Sequence, residues 1–545
     1  MTISPLRKLG HLGVNTDSDP FDLPLGTFTF AANARFEDNR ISRGPVFGLV
    51  GTFSDQTNNP EYVVSYQESS GVARMLIARQ DGTIDDYIPG GANTDISATG
   101  WTPSNYAQAY TGASVNDVVY INRPDRVPWY MLKGGTTFAP LTNWTSTWRC
   151  QSLRSFNGQL VALNVTQGST SYPTMVAWSD FTVWQAVPGT WTPGTTNSAG
   201  TNVLADLGDP LVDGLPLRNT YVLYSQHETW GMSPTGDNSV FSFNRLFNGW
   251  GLLSQNCVVD VNNVHYVMGY DKIWRHDGFT PQDISSGRVK NFIYEQMDKA
   301  NSWQFFTTHV SRRSEVMFCY RSIDPYCAFP IGGVNNYQGC NRAAVYNYRA
   351  DTWYFYDLPY VTSAGFMTPS ASATYSSLGS TAYTSIGGSY STYGDTSKLV
   401  FYVVSNAASA YSLTAGVRSF EIPGTVYVTG TLNVPSTPPV ALYVSQMSLD
   451  ELGADIRGYK VVKSIYPEGR LAPGAVPMTF YFSSSDYPNV PAPQYDDPMT
   501  FDGSALYQLD FLTAGRFIGM KIIHNDYTQF SLSGLDVDFQ VTGHR

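Results

Sequence analysis

One pattern constrains this chain more than any other. A turn rich in Asn, Asp, Ser or Gly leads into an alternating strand, a second strand follows, and the unit recurs along most of the length. It appears at Asn116 (NDVVYINRPDRVPWYML), Asn157 (NGQLVALNV, then TMVAWSD), Asn219 (NTYVLYSQHETWGM) and Asn263 (NVHYVMGYDKIWRHDG). It returns at Ser314 (SEVMFCYR, then RAAVYNYRADTW) and Ser397 (SKLVFYVVSNAASAYSL), and an earlier pair, EYVVSYQ and ARMLIARQDGTIDDY, starts or closes the series. Asn157 lies 41 positions after Asn116, and Asn263 lies 44 after Asn219; insertions in loops lengthen the other steps. A quasi-period of roughly 40 to 50 residues with paired strands marks propeller blades. One such sheet leaves both faces open to water, whereas stacking sheets in a ring buries them against neighbours. The expectation is an all-β fold: a β-propeller of six or seven blades with inserted loops, then a C-terminal antiparallel β-sandwich-like region.

Three segments follow from this. Residues 1–45 read as an N-terminal arm with a hairpin capping the first blade, 46–419 as the propeller, and 420–545 as a C-terminal β-rich domain. Residues 369–397 form a Ser/Tyr/Gly-rich insertion, and the texture changes after about residue 420 to the Pro-marked EIPGTVYVTGTLNVPSTPPV. Helical periodicity is confined to 288–306, where Phe292, Ile293, Met297 and Trp303 allow a short amphipathic helix, and to 447–459. Trp129, Trp178, Trp230, Trp274 and Trp353 fall in or just after the second strand of successive units, which assigns them to blade packing rather than to ligand contact.

Composition narrows the function. Aromatic residues reach 14% and charged residues only 14%, a mixture that suits many short strands joined by Gly and Pro turns. The formal net charge is −11 and no Lys/Arg run occurs, so a grip on nucleic acid through its phosphates is not expected. Cys150, Cys257, Cys319, Cys327 and Cys340 are scattered, without the C-x-x-C spacing of a zinc site, and read as buried free thiols. The start, MTISPLRKLGHLG, lacks the apolar run of a secretory leader, and no segment reaches the roughly 18 to 20 apolar residues of a membrane helix. Neither a cofactor, a metal nor stable membrane insertion is expected.

Chemical motifs are equally sparse. Asp351-Thr352-Trp353 approaches the S-x-D-x-G-x-x-W box of sialidase-type propellers, but the spacing differs and the Gly is missing. Asp85–Asp86 and Asp496–Asp497 read as solvated turn residues rather than the paired carboxylates of a glycosidase. His227-Glu228 lacks the second His of H-E-x-x-H, and His265 and His276 flank a hairpin as structural residues. No phosphate loop and no nucleophile elbow with partners is present. No catalytic residue is assigned, and the chain is not expected to be an enzyme.

The two ends carry a resemblance. GVNTDSDPFDLPLGTFTFAANARFEDNRISRGP (13–45) holds Asp22-Leu23-Pro24 and then Asn33-x-Arg35-Phe36-x-Asp38-Asn39. The other end, DFLTAGRFIGMKIIHNDYTQFSLSGLDVDFQVTGHR, holds Gly515-Arg516, Leu532 to Gly534, and Asp536 with Asp538. Together they resemble the termini of tail nozzle (tail tubular protein B) virion proteins of short-tailed, podovirus bacteriophages, with Asn39 in place of the usual hairpin Gly. The resemblance is strongest over residues 13–45, 150–190, 210–280, 340–360 and 505–545. It implies a structural subunit of the tail tip in the virion, assembled in the host cytoplasm. Six copies would form a tube beneath the adaptor ring, beside tail fibres or spikes, closed before infection and opened for transient passage of DNA. Loops such as 369–397 would form the gate, and an acidic lumen would keep DNA from adhering. An alternative from another class stays open, a glycan-binding or glycan-degrading propeller component of the tail.

Overall fold

Asparagine recurs in this chain because its turns need it. The central residues of the tight turns at Asn116–Asp117, Asn157–Gly158 and Asn262–Asn263 all have positive φ, between 47° and 77°. Two consecutive left-handed residues make the hairpin turn whose twist matches the flanking strands, and Asn, Asp and Gly tolerate that conformation best. The computed structural model describes residues 2–53, 56, 58–67, 73–87, 93–97, 107–236, 240–331, 338–367, 400–406, 415–420, 438–447, 449–455, 457–488, 490, 493–503 and 507–543. The 369–397 insertion, with the gate expected of it, and most of the Pro-marked stretch lie outside the described residues.

The fold is all-β. Five antiparallel four-stranded sheets follow one another, each with its strands in chain order. The first comprises Pro60–Gln67, Ala73–Arg79, Ile84–Tyr87 and Thr94–Asp95, and the second Thr111–Val115, Val118–Asn122, Trp129–Leu132 and Ala139–Pro140. The third comprises Trp148–Phe156, Gln159–Gln167, Thr170–Trp178 and Gly200–Val203. The fourth holds Leu211–Leu217, Thr220–Ser225, Glu228–Pro234 and Phe241–Asn248, the fifth Val258–Val261, Val264–Met268, Ile273–His276 and Pro281–Asp283. A sixth run of the same kind, Phe306–Val310, Glu315–Tyr320, Cys340–Asn347 and Thr352–Met367, belongs to a larger sheet. Its last strand turns at Tyr360 (φ 50°), and the far half pairs with Val400–Ser405, which pairs with Gly416–Ser419, which pairs with Gly48–Thr52. The first strand of each sheet packs against the first strand of the next, and Thr352–Met367 packs against Pro60–Gln67.

The remaining strands form two sheets packed on each other, with Phe482 and Phe511 stacked between them at 4.2 Å. In one, Phe30–Ala32 joins Thr352–Met367 to Val440–Val444, followed by Phe517–His524, Met478–Ser485 and Met499–Phe501. The other orders Ala34–Glu37, Arg40–Arg43, Phe530–Gly543, Tyr459–Leu471 and Leu509–Gly515, with Thr2–Arg7 also on Phe530–Gly543. The hairpin expected to cap the first blade therefore sits elsewhere. Its turn has the expected geometry, with φ of 51° at Asp38 and 59° at Asn39, but Ile41 and Ser42 pair with Leu532 and Ser531 near the far end of the chain.

Within 288–306 lie the helix Lys290–Glu295 and the 3-10 turn Lys299–Gln304, and within 447–459 the 3-10 turn Leu449–Leu452; among the described residues, 3-10 turns also occur at Pro20–Asp22 and Ser311–Arg313. Among the described residues, no helix is long and apolar enough to cross a membrane. The five tryptophans are all buried, in or just after the second strand of each two-strand unit. Trp129, Trp178, Trp230 and Trp274 lie on third strands of their sheets, because each sheet begins one strand earlier than the two-strand unit, and Trp353 is the second residue of a fourth. Asp85 and Asp86 are not solvated turn residues: both are buried in strand Ile84–Tyr87, paired with Arg79 and Arg74 respectively.

Candidate functional site

Where the first strands converge, charge is concentrated and matched. Arg154, on Trp148–Phe156, reaches Asp213 on Leu211–Leu217 through two bonds, Nη2 to Oδ2 at 2.6 Å and Nε to Oδ1 at 3.1 Å. Nη2 also donates to Asn256 Oδ1 at 2.8 Å, while Nη1 donates to the Gly112 carbonyl at 3.3 Å and to the Tyr62 hydroxyl at 3.4 Å. Asp213 accepts further bonds from Ser152 Oγ and from the amides of Gly214 and Asn256. Asn256 Nδ2 donates to the Tyr110 carbonyl. One guanidinium thus ties together first strands of four sheets and the approach to a fifth. Burial pushes the Asp213 carboxyl up, but Arg154, Ser152 and the Asn256 amide override it and hold the group below the usual carboxylate range. A carboxylate so fully occupied is a poor base.

Two further hubs fasten the sixth run. Arg342 Nε and Nη2 contact Asp357 Oδ1 at 3.3 and 3.2 Å, and Nη1 pairs with Asp324. Asn33 completes it: its Nδ2 donates to Asp357 Oδ2 at 3.0 Å and its Oδ1 accepts from the Asp357 amide at 2.8 Å. Glu315 Oε1 receives Arg35 Nε at 2.6 Å and the hydroxyls of Tyr354 and Tyr356 at 3.0 Å each.

A fourth buried assembly is neutral. Tyr224 Oη lies 2.6 Å from His265 Nδ1 and 2.7 Å from His276 Nε2. His265 Nε2 meets the Pro216 carbonyl at 3.0 Å, and the Gly278 amide donates to His276 Nδ1 at 3.1 Å. Those outer contacts fix both tautomers, so His276 donates to Tyr224, which donates to His265. Burial lowers His265 to about 4, and burial with the neighbouring His265 lowers His276 to about 3. Every polar ring atom is satisfied, and the relay ends on a backbone carbonyl rather than in a cleft. Burial likewise raises Cys150 and Cys257, leaving thiols rather than nucleophilic thiolates. Among the described residues, no group of three or more His, Cys, Asp or Glu could hold a metal ion.

The residues singled out from the termini divide into two places. Asn33 and Phe36 meet strand Thr352–Met367, Asn33 through Asp357 and Phe36 by an edge contact with Tyr354 at 5.8 Å, while Arg35 bonds Glu315 on strand Glu315–Tyr320. Gly534 and Asp536 pair with Arg7 and Pro5, and the Arg7 guanidinium reaches Asp536 at 3.3 Å. Gly515 lies one strand away, opposite Lys460, whose Nζ bonds the Arg516 carbonyl at 2.8 Å. Asp22 closes the short turn Pro20–Asp22, followed by buried Leu23 and exposed Pro24. Sequence reasoning missed Arg154, Asp213, Glu315 and Arg342. For Asp213, Glu315 and Arg342 a signal was present, a charge in a largely apolar strand, as in LVDGLPL, EVMFCY and NRAAVYN; Arg154, in the mixed strand WRCQSLRSF, gave none.

No family model matches the chain, and no curated protein matches it. Among solved structures, the crystal structure of the computationally designed Ika8 protein is similar over 76% of this chain and 99% of its own length, at 10% identity and a TM-score of 0.37. That likeness is too slight to carry an argument.

Proposed function

We propose that the chain is a non-enzymatic assembly subunit, a seven-bladed β-propeller with a C-terminal sandwich, and that it serves as the tail nozzle of a short-tailed bacteriophage. The seven blades are the five successive sheets, the sixth run, and a seventh formed by the far half of Thr352–Met367 with Val400–Ser405, Gly416–Ser419 and Gly48–Thr52. The cyclic packing of first strands supports that count. The observation that carries the structural role is chemical: Asp213, Asp357 and Glu315 are each bound by an arginine from another strand, so these interior carboxylates fasten strands together.

Under this reading DNA passes between copies, not along the axis of one chain, because Arg154, Asp213 and Tyr62 occupy the region where the first strands meet. The nozzle, its six copies and its contacts with an adaptor ring rest on the terminal residues Asn33, Arg35, Phe36, Gly534 and Asp536, which here build joints. Native mass spectrometry and negative-stain microscopy of the purified full chain test it. A ring of six copies is expected. A chain that stays monomeric at high concentration, or that cleaves host polysaccharide, overturns the nozzle and favours the glycan-directed alternative.

A further inference from the structure

We infer that a small cavity beside the convergence of the first strands binds a monovalent cation of sodium or potassium size, held by Glu61 and Gln108. The two residues line the same cavity of about 40 Å³, together with Asn256, Gln304, Phe306 and Ser363. Of these lining residues, Glu61 and Gln108 each carry a buried oxygen, Oε1 in both, with no hydrogen-bond partner. The Glu61 side chain is 7% exposed, and its other oxygen, Oε2, accepts from Arg123 Nη1 at 2.9 Å. Leaving a buried acceptor unmet costs about 1–3 kcal/mol, so two on residues that line one cavity point to an occupant.

Charge and size choose among occupants. The described lining carries one carboxylate and neither lysine nor arginine. Water could bridge the two oxygens, but it would add no charge to a carboxylate that Arg123 meets on one side only. The imbalance is visible in Glu61 itself, which burial raises to about 7 in spite of Arg123. A divalent ion fits poorly, since such ions gather several carboxylates and this one is already shared. A water needs roughly 10–15 Å³ of such space, so the cavity takes one ion with one or two waters and excludes larger organic cations. Bound there, the ion would join strand Pro60–Gln67 to the segments bearing Asn256, Phe306 and Ser363.

Crystals of the full chain soaked in a thallium(I) salt should show anomalous density between Glu61 and Gln108. Density there that stays at the height of an ordered water overturns the site. In parallel, thermal unfolding at pH 8 is compared in sodium, potassium and choline chloride at equal ionic strength. Sodium or potassium should raise the midpoint by about 1–4 °C over choline, Glu61→Gln should abolish the difference, and Gln108→Leu should raise the half-saturating concentration about tenfold. Equal midpoints in all three salts also overturn the inference. If Glu61→Gln does not fold, the thallium result on the unaltered protein decides.

Discussion

Asp213 and Glu61 are both carboxylates buried beside an arginine near the convergence of the first strands, yet they are driven in opposite directions. At Asp213 a two-point guanidinium contact, a serine hydroxyl and two backbone amides override burial, and the group ionises more readily than usual. At Glu61 one bond from Arg123 leaves an oxygen unmet, and burial prevails. What differs is the number of donors, not the presence of an arginine. A buried charge is stabilising only when its remaining lone pairs are also filled.

The largest effect should come from breaking the filled site. Asp213→Ala strands the Arg154 charge and should cost about 3–5 kcal/mol in chemical denaturation. An Asp213→Leu, Arg154→Met double variant should recover part of that loss, and a single-variant cost below about 1 kcal/mol would contradict the hub. The histidine relay offers a neutral counterpart. The unfolded chain protonates its histidines near the ordinary value of about 6.5, whereas His265 and His276 stay neutral in the fold until about 4 and about 3. The unfolded state therefore binds more protons as pH falls through this window, and stability declines with it. Between pH 7 and 5.5 the loss should be roughly 2–3 kcal/mol, and about half as large in His276→Gln; a pH-independent difference between the two proteins would refute the relay.

Glu61 should behave with the opposite sign. Its folded pKa lies above the unfolded value, so its contribution is present in acid and lost as pH rises from about 4.5 through about 7. In choline chloride at pH 8, Glu61→Gln should be more stable than the unaltered chain by about 1–2 kcal/mol, with no gain at pH 4. An equal gain at both pH values would show that packing, not charge, is responsible. The smallest effect marks the boundary of the comparison. Arg288 and Asp351 pair at 2.9 Å in a largely exposed setting, and Arg288→Ala should change stability by less than about 1 kcal/mol. A larger cost would mean that exposed pairs contribute here as buried ones do.

What the sequence disclosed tracks how local each feature is. Tight turns such as Asn116–Asp117 are specified by two neighbouring residues and were legible, as was the strand alternation they separate. The hairpin at Asp38–Asn39 was legible for the same reason, but its placement was not. Nothing in NARFEDNRISR encodes that Ile41 lies against Leu532. Asp85 and Asp86 misled because adjacent acids resemble a turn, while their partners Arg79 and Arg74 stand on the preceding strand, where cross-strand register decides who meets. The hubs share that difficulty: Arg154 and Asp213 are 59 positions apart, and Asn33 and Asp357 are 324 apart. At Asp213 the odd charge within an apolar strand announces a partner without saying which; Arg154 and Asn33 carry no such mark.

The pairing of Thr2–Arg7 and Arg40–Arg43 with Phe530–Gly543 has a consequence for synthesis. Those early strands leave the ribosome about 500 residues before the strand that covers them, which at roughly 5–20 residues per second is a wait of about 25–100 s. Throughout that interval Leu6, Phe36 and Ile41, all buried in the finished molecule, have no native partner from the last strand. The successive four-stranded sheets can form in order as they emerge, since their strands are neighbours in sequence. The terminal sheet must close last, and until then the nascent chain carries an unprotected sticky end whose handling sets its yield.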